Sequence, residues 1–445
     1  MRIALFFILL IFSKNSLSFN QAQLTAVIKA SQDKKLPRNF TGYDLSKAQM
    51  NNLNLSGAIF TKANLDNANF DGALITTSRF DSASMVGTNF SNAILISSDF
   101  SFSKIEKSIF NKTNLTRSKF DGATVNYSDF STSKVEGVSF KNATLTEIDL
   151  SNLSLSAVSF EGANADKLKM NDTKFFEDTN FGGTTLKSSE AINSVFDKTQ
   201  FIKTRISDSN FSGSQFNAVY FESTSLNSAK FMSSNFSDVD FSKVSSRQAD
   251  YTGSIFRNIK LSGSFDNSNF TKTVFKDTKW LGDGNQGAQE TFFSDCNFSE
   301  SEIVGINFRN TNFAKAIFRK AKMSNTHFGP AMMDGAVFDE ADLTGAKFQK
   351  FNSDITSLVR ASFTKATMLD AEFIDADIAG ASFEYADLTG TKFFLKPTLM
   401  TGVSFLNALM ERTRFTYPMS DMRAAGVDFS GASQRNMECS NTKCK

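Results

Sequence analysis

"ANLDNANFDGA", residues 63–73, places Ala63 two positions before Leu65 and, five residues later, Ala68 two positions before Phe70. A spacing of five fits neither the helix period of about 3.6 nor the strand period of about 2. Working outward, the same frame extends in both directions. Large apolar residues fall at Phe40, Leu45, Met50, Leu55, Phe60, Leu65, Phe70, Ile75, Phe80, Met85 and Phe90, and the series runs on to Phe175. Two positions before each centre stands a smaller residue, such as Ala58, Ala73, Ser78, Ala83 and Thr88. The other three positions are mostly Asn, Asp, Ser, Thr, Lys or Gly. One such unit cannot bury its two inward residues alone, so units must stack and share a continuous interior. Ser or Thr at the small position, as at Thr199, Thr204, Ser209 and Ser214, must then satisfy its hydroxyl inside, against backbone carbonyls.

Over residues 38–434 this pattern resembles the pentapeptide repeat family, with its small–Asp/Asn–Leu/Phe–polar–polar unit. The resemblance implies an all-β fold, a right-handed four-sided parallel β-helix with four units per coil. Phe recurs every ten residues from 60 to 140, with aliphatics between. In a four-sided coil ten residues separate opposite sides, so Phe should face Phe across the axis and keep the cross-section constant. The 49 Phe residues therefore read as core, not as a stacking platform for bases or sugars. About nineteen coils at about 4.8 Å each would give one elongated domain of roughly 90 Å.

The ends depart from the frame. Residues 1–18 carry Arg2, the apolar run Ile3–Phe12, and Ser16 and Ser18 spaced like a cleavage site. That is a secretory signal peptide pattern, and the run is too short for a membrane span. Its removal takes Arg2 and Lys14 from 48 basic residues and none from 46 acids, so the charges balance. A neutral surface is not built for capture of nucleic acid or anionic membrane. Residues 19–37 read as a capping helix, with Leu24, Val27 and Ile28 at helical spacing, and 417–426 as a short capping helix at the other end. In the tail, 435–445, Cys439 and Cys444 could form a small disulfide loop after export. Cys296 occupies a small inward position and reads as a buried filler.

The frame breaks in places. It slips by one between Phe175 and Phe181 and shortens by one between Leu261 and Phe265. After Trp280 the stretch 281–292 reads as a protruding loop; its Asp-Gly-Asn cluster lacks the spacing and terminal Glu of a calcium loop. A second break, 394–404, places apolar residues outside the repeat, either folded back or forming a binding patch. Phe348 and Phe363 lie fifteen residues apart, with Phe351 at a small position and Ser353 at a centre, which suggests that bulk moves to the other inward column.

Chemistry is sparse. The single His, His327, should be exposed. No phosphate-binding loop or dinucleotide fingerprint is present, and a filled solenoid offers no cleft to shift carboxylate pKa values. No enzyme activity and no cofactor are expected. The frequent Asn-x-Ser/Thr sequons, such as Asn54-Leu55-Ser56, are generated by the repeat itself. Residues 366–391 hold six acids (Asp370, Glu372, Asp375, Asp377, Glu384, Asp387) and no Lys or Arg. Some members of the family mimic DNA and bind type II topoisomerases, but those are cytoplasmic, shorter and strongly acidic. The expectation is an exported scaffold, periplasmic or secreted, that contacts an unknown protein without stable membrane insertion. Its candidate contacts are Phe292, Phe394, Leu395, Leu399 and Met400 on the irregular segments. A topoisomerase-binding DNA mimic is the alternative. An enzyme or carbohydrate-binding module would need a polar site on the 281–292 loop.

Overall fold

A computed structural model describes residues 20–280, 291–350, 354–439 and 442–443. The chain divides into two compact units, Met1–Lys169 and Met170–Lys445, and both are parallel β-solenoids.

In the first unit a coil takes twenty residues. Asp44 bridges Asn64, Asn64 bridges Ser84, and Leu74 bridges Ile94, all parallel. Each centre turns its side chain inward, while its amide bonds along the axis, as Phe40 N does to Ile59 O at 2.7 Å. Corner residues sit at positive φ, commonly Asn, Gly, Ser or Lys, as at Asn52 and Asn67. Asn tolerates that region because its short amide can bond locally. The inward Phe residues form two stacks: Phe60, Phe80, Phe100 and Phe120 lie at 4.7–5.1 Å from ring to ring. Phe70, Phe90 and Phe110 form the other stack, and the two meet edge to face, Phe80 and Phe90 at 6.0 Å and 88°. That is the aromatic geometry that a ring quadrupole favours.

Helix α1, Gln21–Gln32, starts at Asn20, whose side chain accepts from the amides of Ala22 and Gln23. Leu24, Val27 and Ala30 are buried, and Ile28 is half-buried. The Gln23 side-chain oxygen accepts from Asp44 N at 2.8 Å, and Asn20 N donates to Asp44 O at 3.2 Å. α1 thereby satisfies backbone groups of the first coil that have no coil above them.

The second unit absorbs each irregularity at a corner. The slip after Phe175 makes one step of twenty-one, Phe175 pairing Phe196, with Glu177 and Asp178 both at positive φ. The shortening falls where Phe241 pairs Leu261 but Val244 pairs Gly263. Gly263 has φ 121°, and a Cβ there would collide with the Val244 backbone, so only glycine fits. Phe265 still stacks on Phe293 at 5.0 Å although twenty-eight residues separate them.

Three expectations need correction. The fifteen-residue gap between Phe348 and Phe363 is no exchange of inward columns. Phe338 stacks on Phe363 at 4.9 Å and Phe348 on Phe373 at 4.7 Å. Both steps are twenty-five residues, so one whole extra unit leaves the coil there; Phe351 and Ser353 lie outside the described residues. The second helix, α2 (Met419–Ala424), does not end the solenoid. Phe429 stacks on Phe405 beyond it at 5.3 Å. The ladder continues past 434, since Phe415 pairs Cys439 in parallel, and Glu438–Cys439 then pairs antiparallel with Thr442–Lys443.

The inward hydroxyls are satisfied as their burial requires. Ser214 Oγ donates to Ala191 O at 2.6 Å and accepts from Ser194 N at 2.9 Å. Thr204 donates to Phe181 O at 2.7 Å, and Cys296, fully buried, donates from Sγ to Phe265 O at 2.9 Å. Burial pushes the Cys296 thiol far above its ordinary pKa, which suits an inert filler.

Candidate functional site

Apart from the single residue added at Glu177–Asp178, the second unit carries its insertions along one edge. One side of the coil is marked by the stack Phe308, Phe328, Phe348, Phe373, Phe393 and Phe415, with neighbours at 4.7–5.4 Å. The next side begins at Phe293, Phe313, Met333, Leu358, Ile378 and Met400, all buried. In regular coils, Phe308 to Phe313, Phe328 to Met333 and Phe373 to Ile378, the corner between them takes one unit. After Trp280, Phe348, Phe393 and Phe415 it is lengthened. Residues 281–290 leave from Lys279–Trp280, which pairs Lys260–Ser264, and return at Thr291–Phe292, which pairs the same strand. The extra unit follows Phe348, the 3-10 turn Pro397–Met400 follows Phe393, and α2 follows Phe415. Three of the four prolines in the sequence, Pro330, Pro397 and Pro418, stand at this edge, where the missing amide costs no ladder bond.

The last two insertions support one another. Leu395, Met419 and Met422 are buried outside the main column of centres, and Met400 is buried within it. Thus of the five residues expected to make contacts, Leu395 is folded back and covered and Met400 is an inward centre. Leu399 is half-buried, its carbonyl accepting from Ile378 N at 2.9 Å. Phe292 is half-buried in a strand, and Phe394 is 40% exposed. The sequence reading missed Met332, 54% exposed, and Ile355, 47% exposed. Both lie on the same edge: Phe292 pairs Asn312, and Asn312 pairs Met332. Ile374 pairs Phe394 on the other flank. The outcome is an apolar rib on a polar surface. Residues 281–290 themselves lie outside the described residues.

The adjoining flat side is charged but internally paired. Glu372 lies 2.6 Å from Lys392 and 3.5 Å from Lys347; Lys350 reaches Asp375 at 2.6 Å and Arg414 reaches Glu438 at 3.0 Å. The Lys392 hydrogen bond, with the nearby Lys347, holds the Glu372 carboxyl below its ordinary range. His327 is not fully exposed: it lies in the strand His327–Phe328, half-buried, and burial with neighbouring Lys347 lowers its pKa. The acids of 366–391 do not form one face. Glu372 and Asp377 stand beside Phe373 and Ile378 on adjacent sides, Asp387 beside Leu388 on another, and Asp370, Asp375 and Glu384 at corners. Two of them are neutralised by lysines, because a short run of a four-sided coil distributes its residues around the axis.

Sequon asparagines serve the fold. Asn54 Oδ1 accepts from Ser56 N at 3.2 Å, and Asn210 Oδ1 from the amide and hydroxyl of Ser212. Cys439 is disulfide-bonded; Cys444 lies outside the described residues, as do residues 1–18. Among the described residues no group of three or more His, Cys, Asp or Glu could hold a metal ion, and no helix is long and apolar enough to cross a membrane.

A family model of pentapeptide repeats (8 copies) matches residues 39–76, 209–245, 293–329 and 356–393, and one of a pentapeptide repeat region matches 73–150. The chain belongs to the pentapeptide repeat family. In a pentapeptide repeat protein the matched segments mark regular coils, and here the unmatched stretches 246–292 and 330–355 and the chain beyond 393 contain the insertions. Solved structures to which the chain is similar include HetL from the cyanobacterium Nostoc sp. strain PCC 7120, a pentapeptide repeat protein involved in heterocyst differentiation regulation. It is 17% identical over 56% of this chain and 92% of its own, with TM-score 0.20. A pentapeptide repeat protein of the Arabidopsis thaliana thylakoid lumen is 29% identical over 25% of this chain and 68% of its own, TM-score 0.16. QnrB1, a plasmid-mediated fluoroquinolone resistance protein, is 15% identical over 60% and 98%, TM-score 0.21. No curated protein matches the chain. Neither family model is that of a catalyst.

Proposed function

We propose that this pentapeptide repeat protein is an exported, non-enzymatic scaffold that contacts another protein through the insertion-bearing edge of its second unit. The observation that carries the reading is the convergence of the second unit's insertions on one corner, with Met332, Ile355 and Phe394 exposed along it. Regular sides present small polar residues and offer few of the large, desolvated anchors that dominate binding energy. Loops on a rigid scaffold commonly carry recognition. Export is supported by the leader pattern of residues 1–18 and by α1, whose cap, Asn20, lies beyond Ser18 and would survive cleavage there.

Two measurements test the proposal. The mass of the mature chain reads the cleavage directly, and a chain retaining Met1 in a cytosolic fraction would refute export. Replacing 281–290 and 394–399 by single repeat-compatible units should abolish partner capture from the periplasmic or secreted fraction. Full capture with the fold intact would remove the edge from the proposal.

A further inference from the structure

The first unit displays two aromatic rings where the repeat calls for none. Phe102 and Tyr127 are corner residues at φ 57° and 54°, a region that bulky side chains occupy rarely and at a cost. Phe102 is 72% exposed and Tyr127 49%. The Phe102 ring is a supported plate. It lies over Gly122 of the next coil, where a Cβ would sit 2.7 Å from its Cδ1 and Cε1. At the equivalent contact of the neighbouring coils the partner is a polar side chain, as Asn142 is to Gly162. Gly122 at φ 66° both makes the turn and clears the space.

Both rings border the same side of the solenoid. Between Gly122 and Tyr127 runs the strand Thr124–Asn126, paired with Lys104–Glu106 before it and Thr144–Thr146 after it. Five residues of strand span at most about 16 Å. The floor between the rings is neutral: Thr124, Asn126, Thr144 and Thr146 point outward, and Lys104 and Glu106 pair with each other at 3.6 Å. Asn126 Oδ1, covered by its neighbours, has no hydrogen-bond partner. An acceptor left so is costly, but it lies beneath the surface, where a ligand resting on the side does not reach it.

We propose that this side of the first unit is a binding site for a neutral oligosaccharide. Sugar rings present apolar C–H faces to Phe102 and Tyr127, while their hydroxyls exchange hydrogen bonds with Thr124, Thr144 and Thr146. The self-paired floor offers no excess charge for an anionic ligand. The site is independent of the protein-contact edge, which lies in the other unit.

Calorimetric titration of the full chain with hexamers of β-1,4-linked glucose and of β-1,4-linked N-acetylglucosamine tests it. Saturable, salt-independent binding of at least one is expected. Phe102→Ala and Tyr127→Ala should each weaken it about tenfold or more, and Phe102→Trp should retain it. Tyr385→Ala removes an exposed corner aromatic in the other unit and should change nothing; unfolding curves would show that the variants keep the fold. The proposal is overturned if neither hexamer saturates at millimolar concentration. It is also overturned if the Phe102/Tyr127 double alanine variant binds as the native chain does. Binding of single-stranded oligonucleotide that weakens steeply with salt, with no glycan binding, would assign the plates to base stacking instead and equally reject it.

Discussion

Replacing Ser301 by alanine should stabilise the protein, although Ser301 is fully buried and serine fills the same inward column elsewhere. In that column each hydroxyl donates to the carbonyl of a centre one coil back: Ser214 to Ala191, Ser234 to Phe211, Ser254 to Phe231. The equivalent carbonyl for Ser301 is that of Phe270. Thr273 has already taken it, donating to Phe270 O from its hydroxyl at 2.7 Å and from its amide at 3.2 Å. Ser301 Oγ is left without a partner. A buried hydroxyl in that state costs about 1–3 kcal/mol, so Ser301→Ala should gain about 1–2 kcal/mol. Ser234→Ala removes a donor to Phe211 O and the acceptor of Ser214 N, and should lose about the same. In a Thr273→Val background Phe270 O keeps only the backbone amide of residue 273 and can accept a hydroxyl, as Phe231 O does from Ser254, so the gain from Ser301→Ala should vanish or reverse, a coupling of about 1–2 kcal/mol. Solenoids need not unfold in one step, so the assay is native-state hydrogen exchange at Glu302 N, which bonds Thr273 O at 2.8 Å. Equal losses from Ser301→Ala and Ser234→Ala, or no coupling to Thr273, would refute this account of the inward hydroxyls.

Phe338 lies between Phe318 and Phe363 at 4.9 Å each, so Phe338→Ala should cost about 3–5 kcal/mol in urea unfolding; a loss under about 1 kcal/mol would contradict its place in the stack. Gly263→Ala, at φ 121° against the Val244 backbone, should destabilise clearly more than Gly57→Ala, where φ is 72° and nothing lies within 4 Å; melting temperatures of the two variants decide it. Glu372 has its folded pKa held below the ordinary 4.5, so its contribution is fully present above that value and is lost as pH falls through the lowered one. Glu372→Gln should therefore lower stability near neutral pH and leave the strongly acid limb unchanged, and a constant loss across the titration would exclude the linkage.

The inward columns were legible because burial imposes a strict period. Phe60 to Phe140 could be assigned to opposed stacks before any coordinates, and the hydroxyls of Thr204 and Ser214 found the carbonyls that desolvation demands. Events that preserve the period while changing the path were not legible. Fifteen residues between Phe348 and Phe363 fit an exchange of columns as well as an expelled unit, and only the stacking of Phe338 on Phe363 separates them. The six acids of 366–391 are neighbours along the chain but not in space, because a four-sided coil distributes a short run around its axis. Phe102 carried a signal that went unused. It stands outside both inward columns, two residues after Phe100, so its ring could not enter the core. Its support by Gly122 joins positions twenty residues apart, a relation visible only once the coil length is known.

Lengthened corners need not be adjacent: the one-unit corners Phe308 to Phe313, Phe328 to Met333 and Phe373 to Ile378 stand between them, and the neighbouring sides keep their parallel ladder. After Phe393 and Phe415 two lengthened corners do fall in successive coils. Gly402 N bonds Ala425 O at 3.0 Å across the two lengthened coils, and Leu395, Met400, Met419 and Met422 are all buried. Neither Pro397–Met400 nor α2 has enough apolar surface to hold itself against a regular neighbour, since α2 is a six-residue helix and isolated helices of that length do not persist. Stacked, each supplies the other's partner. The parallel ladders of the flanking sides hold the edge in place, and Met332, Ile355 and Phe394 are exposed along it.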